Sequence, residues 1–351
     1  MIPLHSRPPA PDAEPAAGTR RLVLSALLAA GLALGLYVAL PSVAGLDETW
    51  GRLTRGDPWW LALAVLLEAC SYCGYVVLFR GVFVRPGSRI GWRESYTITM
   101  AGVAATRVFA AGGAGGIALT AWAMARSGMG RRELVRRLTT FYVALYSVFV
   151  TALLVVGLGL RAGLFQGPAP FGVTVIPAAL GAFVISGALV TALLPRDLDG
   201  RLSGRVGSGW PASAVRTIAR AAATVAEGVR GALGMLRARN TALFGALAWW
   251  AFDIAVLWAC FHAYGEPPSM AVIVMAYFTG MLGNLLPLPG GVGGVEGGMI
   301  AAFLAFDVAG GLAVVSVLTY RAFAFWLPTV PGLLAYLDLR RSVREWDRPA
   351  A

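Results

Sequence analysis

Long apolar runs separated by arginine-bearing gaps dominate the chain. A helix crossing about 30 Å of hydrocarbon needs about 20 apolar residues. Six runs meet that length: 22–40, 59–79, 138–160, 173–194, 242–263 and 312–337. Two further apolar regions are broken by glycine. Residues 95–124 are interrupted at Gly112-Gly113-Ala114-Gly115-Gly116, and residues 270–306 at Pro287-Leu288-Pro289-Gly290-Gly291-Val292-Gly293-Gly294. The pattern predicts an all-α polytopic membrane protein with six spanning helices plus two glycine-broken hairpins. Each hairpin is either re-entrant or a pair of short crossings, and the short second arms favour the re-entrant form.

Composition agrees with a lipid environment. Hydrophobic residues make up 58% of the chain and charged residues only 13%, where a soluble domain carries about a quarter. The net charge is +11, and all 29 basic residues are arginines. These arginines lie between apolar runs, which is an orienting pattern and not a nucleic-acid face. Arg7, Arg20 and Arg21 precede the first run; Arg80, Arg85, Arg89 and Arg93 follow the second; Arg126, Arg131, Arg132, Arg136 and Arg137 follow the first broken region. Eight more lie between Arg196 and Arg239, and Arg340, Arg341, Arg344 and Arg348 close the chain. The positive-inside rule then predicts a cytoplasmic membrane protein with both termini cytoplasmic. The first broken region has arginine-rich flanks and the second arginine-free ones, so the two hairpins are expected to enter from opposite sides.

Both glycine tips read GGxGG, and each follows two spans and precedes one. The order predicts two inverted repeats, 22–160 and 173–338. A cytoplasmic N-terminus (1–21, rich in Pro and Ala and read as disordered) and a cytoplasmic tail (339–351) flank them. A basic amphipathic cytoplasmic segment, 195–240, separates the first two spans of the second repeat, with Arg216, Arg230 and Arg237 on one face of a helix over 212–239. Inverted repeats with discontinuous helices place polar sites at the repeat interface in many transporters, because non-helical backbone cannot face lipid. The alternative for GGxGG is close packing between helices.

Ionisable residues at membrane depth are costly and mark function by default. Arg107, Glu296 and Arg321 are the leading candidates, grouped with the tip residues Gly112, Gly113, Gly115, Gly116, Pro289, Gly290, Gly291, Gly293 and Gly294 as a substrate-binding set. Glu68 and Asp253 are further candidates at mid-span, and His262 sits nearer a span end. Such a set suits a polar headgroup, with arginine taking phosphate; a buried Glu–Arg pair that only locks the hairpins is the competing account. Cys70 and Cys73 have CxxC spacing inside an apolar run without a second pair, so packed thiols are expected, with no metal and no cofactor. With only His5 and His262 available, no nucleophile–His–acid set is visible and no catalytic residue is assigned.

The segment from Asn284 to Gly298 resembles the P-x-P-G-G-x-G-x-x-E signature in the transmembrane region of the lysylphosphatidylglycerol synthase family. Thr319-Tyr320-Arg321, followed by Pro328 and Gly332, is similar to that family's last helix. Ala111 to Gly116 and Ala123 to Gly128 resemble its first broken region, although Ala110 and Ala111 stand where a proline is often found. The resemblance implies a flippase-like protein that binds or moves a membrane phospholipid or lipid-linked substrate. It also implies a stand-alone member without the aminoacyltransferase domain, hence not an enzyme. The alternative expectation is a non-transporting membrane partner of a cell-envelope biosynthesis enzyme.

Overall fold

The computed structural model describes residues 54–108, 114–193, 210–285, 288 and 291–346, the side chains of 108 and 210–216 excepted. The expected N-terminus, the run at 22–40, the tip residues Gly112, Gly113, Pro289 and Gly290, residues 194–209 and the last five positions lie outside the described residues. Among the described residues every regular element is helical: α1 (Pro58–Phe83), α2 (Trp92–Val108), α3 (Ala114–Arg126), α4 (Arg131–Arg161), α5 (Phe171–Leu193), α6 (Trp210–Arg237), α7 (Leu243–Tyr264), α8 (Met270–Met281), α9 (Gly294–Ala305), α10 (Gly310–Arg321) and α11 (Thr329–Trp346).

Among the described residues, five segments are long and apolar enough to cross a membrane: α1, α4, α5, α7 and the stretch Gly310–Trp346. They coincide with five of the six runs expected from sequence. The last run was expected as one continuous helix. Instead, a π turn over Ala322–Trp326 separates α10 from α11, with Leu327 N–H donating to the Ala322 carbonyl. Pro328 supplies the reason, because it has no N–H with which to continue the helix.

The two broken regions each fold into a pair of short helices. At 12 residues, α8 and α9 rise only about 18 Å each, well short of a crossing. Each pair packs through glycine at backbone distance. A Cβ added to Gly116 in α3 would lie 2.6 Å from the Gly102 carbonyl oxygen in α2. One added to Gly280 in α8 would lie 2.7 Å from the Met299 nitrogen in α9. Only glycine permits such an approach.

The core of the molecule is the crossing of α1 and α7. Gly74 and Gly245 face each other there, a Cβ on Gly74 falling 2.9 Å from the Gly245 carbonyl. Ser71 donates to the Trp249 carbonyl at 2.8 Å beside them. Around this crossing α2 packs on α11, and α8 packs on α9 and α4. α6 buries Ala219, Ala226 and Val229, with Gly228 and Gly231 against Thr139 and Thr140 of α4. It is therefore docked on the bundle along one face, while Ile218, Val225 and Leu236 stay exposed.

The two ends of the bundle differ in charge. At one end Arg85 and Arg137 both pair with Glu133, Arg93 pairs with Asp338 at 2.8 Å, and Arg80 lies over Trp92. These contacts gather the end of α1, the start of α2, the start of α4 and the end of α11. At the other end Asp57 N–H donates to the Ala263 carbonyl, Ser269 donates to the Gln166 carbonyl, and Leu312 packs at Gly265. The pair α2–α3 thus opens on the arginine-bearing end and α8–α9 on the other.

Candidate functional site

Spanning helices bury their polar groups inward, because hydrocarbon cannot solvate them. The close approach of α1 and α7 accordingly brings their mid-helix acids together. Glu68 and Asp253 are 4% and 6% exposed, and the two carboxyls face each other. Asp253 accepts hydrogen bonds from the hydroxyl of Tyr277 in α8 and, at 3.1 Å, from that of Tyr320 in α10. Glu68 is less well provided: its Oε2 is buried with no hydrogen-bond partner among the described residues.

Arg107, at the inner end of α2, reaches the same level. Its Nη2 donates to the Tyr72 hydroxyl at 2.6 Å and to the Ala324 carbonyl at 2.7 Å. Its Nη1 donates to the Phe325 carbonyl and to the Thr329 hydroxyl, the latter at 3.1 Å. The carbonyl of Ala324 is available because the residue four positions on is Pro328, which cannot donate to it. Every one of these acceptors is a neutral oxygen. Tyr72 lies near the middle of the 26-residue α1, and Asp253 near the middle of the 22-residue α7. Arg107 is thus a guanidinium whose hydrogen bonds go to neutral groups, halfway along spanning helices.

The second ionic element is of a different kind. Arg321 Nε donates to Glu296 Oε1 at 2.7 Å, both side chains being under a tenth exposed. The other oxygen of Glu296 accepts from Gly293 N–H at 2.7 Å and so caps the first turn of α9. Gly293 adopts φ 85° and Gly291 φ 68°, backbone that favours glycine at the tip. Glu296 therefore has both oxygens committed within the protein, tying the second tip to α10. The ring of Phe325 joins the two elements, with the Arg107 and Arg321 guanidinium carbons 5.0 and 4.4 Å from its centroid.

The structure thus places Arg107, Arg321, Glu296, Glu68 and Asp253 in one continuous polar cluster. Gly116 and Gly294 serve helix packing, Gly294 lying against Gly283. Gly115 stands in the first turn of α3. His262 is apart from the cluster, packed between Trp60 and Trp258 with tilted rings, 4.3 and 4.2 Å between ring centroids. Sequence reasoning missed Tyr72, Tyr277, Tyr320 and Phe325. The available signal was the hydroxyl-bearing aromatic at mid-span, whose buried O–H needs a partner. Among the described residues no group of three or more His, Cys, Asp or Glu is arranged to hold a metal ion.

Comparison with known proteins identifies relatives over most of the chain. The family described as the lysylphosphatidylglycerol synthase TM region matches residues 23–332. A UPF0104 membrane protein of Methanothermobacter thermautotrophicus is 23% identical over 327 residues, covering 88% of this chain and 93% of the relative. A shorter match to a UPF0104 membrane protein of that organism is 32% identical over 93 residues, about a quarter of the length of each chain. A UPF0104 membrane protein of Methanocaldococcus jannaschii is 29% identical over 103 residues, 29% of this chain and 31% of the relative.

Proposed function

Because this chain belongs to the family of the lysylphosphatidylglycerol synthase TM region, we propose that it binds the headgroup of a membrane phospholipid or lipid-linked substrate and carries it across the cytoplasmic membrane. Arg107 is the headgroup's contact. The observation that carries this reading is its set of partners: a guanidinium at mid-span whose hydrogen bonds all go to neutral oxygens. Arginine suits phosphate; a phosphate would bind by displacing some of these neutral acceptors from the terminal nitrogens, and it supplies the counter-charge that they do not. Glu296 and Arg321 hold the second tip in place, with Gly291 and Gly293 giving it its turn.

Transport across the midplane needs a site reachable from both leaflets. The helix pairing supports this: α1 meets its counterpart α7, while α2 on α11 mirrors α8 on α4. That is the pairing expected of two inverted halves, with the run at 22–40 as the sixth span. Clustered arginines at the end where α2–α3 opens support the reading that this end faces the cytoplasm. Rocking of the halves about Arg107 would expose it to each side in turn.

The test is reconstitution in liposomes with labelled phosphatidylglycerol, its aminoacyl derivatives and glycolipids. Translocation faster than in empty liposomes, lost in Arg107→Gln and only partly kept in Arg107→Lys, is the expected result. Rates equal to empty liposomes for every lipid would end the transport reading.

A further inference from the structure

Charge counting in the cluster leads beyond headgroup binding. Glu296 and Arg321 neutralise each other. What remains is Arg107, with one positive charge, and the facing carboxyls of Glu68 and Asp253. An unbalanced charge in this interior is expensive even after relaxation. The set is neutral only when the carboxyl pair holds one proton. Two carboxyls in contact also favour this, since a shared proton makes one of them the donor. Among the described residues the groups around the pair offer no other compensation. Tyr72 of α1, Tyr277 of α8, Tyr320 of α10 and Cys260 of α7 face it as neutral groups, with Arg107 of α2 as the cation. Arg321, beside Tyr320, is engaged with Glu296. α4 meets α1 with Phe141 and Tyr142, next to Tyr75 and not Glu68.

A headgroup phosphate changes that balance. Resting on the headgroup reading of Arg107, we propose that Glu68 and Asp253 form a proton-binding site that takes up one proton for each monoanionic headgroup bound. Once a phosphodiester occupies the guanidinium, Arg107 no longer offsets the remaining carboxylate. A second proton, bound at the pair, restores neutrality. The Oε2 atom of Glu68, buried and without a partner, is the open position for it. The loaded cluster then holds an Arg–phosphate pair and two neutral acids, and it crosses the midplane without net charge. A proton gradient thereby becomes a driving force for the headgroup.

The experiment counts protons. Purified full-length protein in weakly buffered detergent is titrated with short-chain phosphatidylglycerol, and lipid binding and pH change are read together. About one proton taken up per lipid bound is expected. Phosphatidylcholine, whose ammonium supplies the missing charge, should bind with none, and glycerophosphoglycerol, the same monoanionic phosphodiester without acyl tails, should take up one proton per molecule bound. Glu68→Gln combined with Asp253→Asn leaves the pair no carboxyl to protonate, so uptake should vanish there, and proton uptake that persisted on phosphatidylglycerol binding to that variant would overturn the site. Infrared spectra of the wild type need no variant and should show a protonated carboxyl band at neutral pH. Phosphatidylglycerol binding without proton uptake, uptake equal for phosphatidylcholine, or absence of the carboxyl band would each overturn the coupling and leave the headgroup reading standing. Failure of every lipid to bind would instead remove the headgroup reading, and the coupling with it.

Discussion

Arg107 and Arg321 share the ring of Phe325 but not a counter-charge, and the difference assigns them separate tasks. Arg321 donates to a carboxylate that also caps α9. Removing one partner of such a buried pair strands the other, at about 3–5 kcal/mol. Glu296→Gln should therefore lower the melting temperature in detergent markedly, and Glu296→Gln combined with Arg321→Met should recover part of the loss. A melting curve unchanged in the single variant would remove the latch. Tyr277→Phe takes one donor from Asp253 and should cost about 1–3 kcal/mol, read in the same assay. The charged members of the cluster were legible in sequence because an acid or arginine inside an apolar run stands out. The tyrosines were not, since an aromatic in such a run looks like packing. The pairing of Glu68 with Asp253 was hidden for another reason: it depends on where α1 and α7 cross, and that is set by Gly74 and Gly245 some turns away.

At the scale of the element, glycine has two uses here that share one motif. In α3 and α9 it permits backbones to touch; at the second tip it permits a turn with positive φ. Gly116→Ala would push a methyl into the Thr106 hydroxyl and to 2.6 Å from the Gly102 carbonyl, which as backbone cannot swing aside. Overpacking of this kind costs about 1–3 kcal/mol. Gly187 in α5 has nothing within 4 Å of an added Cβ, so Gly187→Ala should leave stability unchanged or slightly higher through helix propensity. Thermal unfolding of the two variants side by side checks this, and equal curves would refute the packing role. The breaks at the glycine tips were visible as interruptions of apolar runs. The π turn was not, because 312–337 reads as an unbroken apolar segment in which only Pro328 signals trouble. Its consequence, carbonyls turned toward an arginine far away in sequence, follows from tertiary contact and has no local signature.

The whole molecule is organised by its two unlike ends. Arginine pairs gather the openings of α2–α3 at one end, while the openings of α8–α9 lie at the other beside the turns near Gln166 and Gly265. The sequence carried this arrangement in its charge spacing, since lipid-facing segments cannot hold arginine and the gaps between them must. Labelling by a membrane-impermeant maleimide turns it into a prediction. In a background where Cys70, Cys73 and Cys260 are replaced by alanine, single cysteines go at Ser88, Gly130, Ala162 and Ala309, all exposed. Ala162 and Ala309 flank the arginine-poor end, and their cysteines should react in intact cells. Ser88 and Gly130 flank the arginine-rich end, and their cysteines should react only after permeabilisation. Gly130 follows the first hairpin and Ala309 the second, so this pair isolates the central geometric claim. Reaction of both from one side would mean that the two hairpins open on the same leaflet. The cluster around Arg107 would then have no route to the opposite face by rocking of inverted halves.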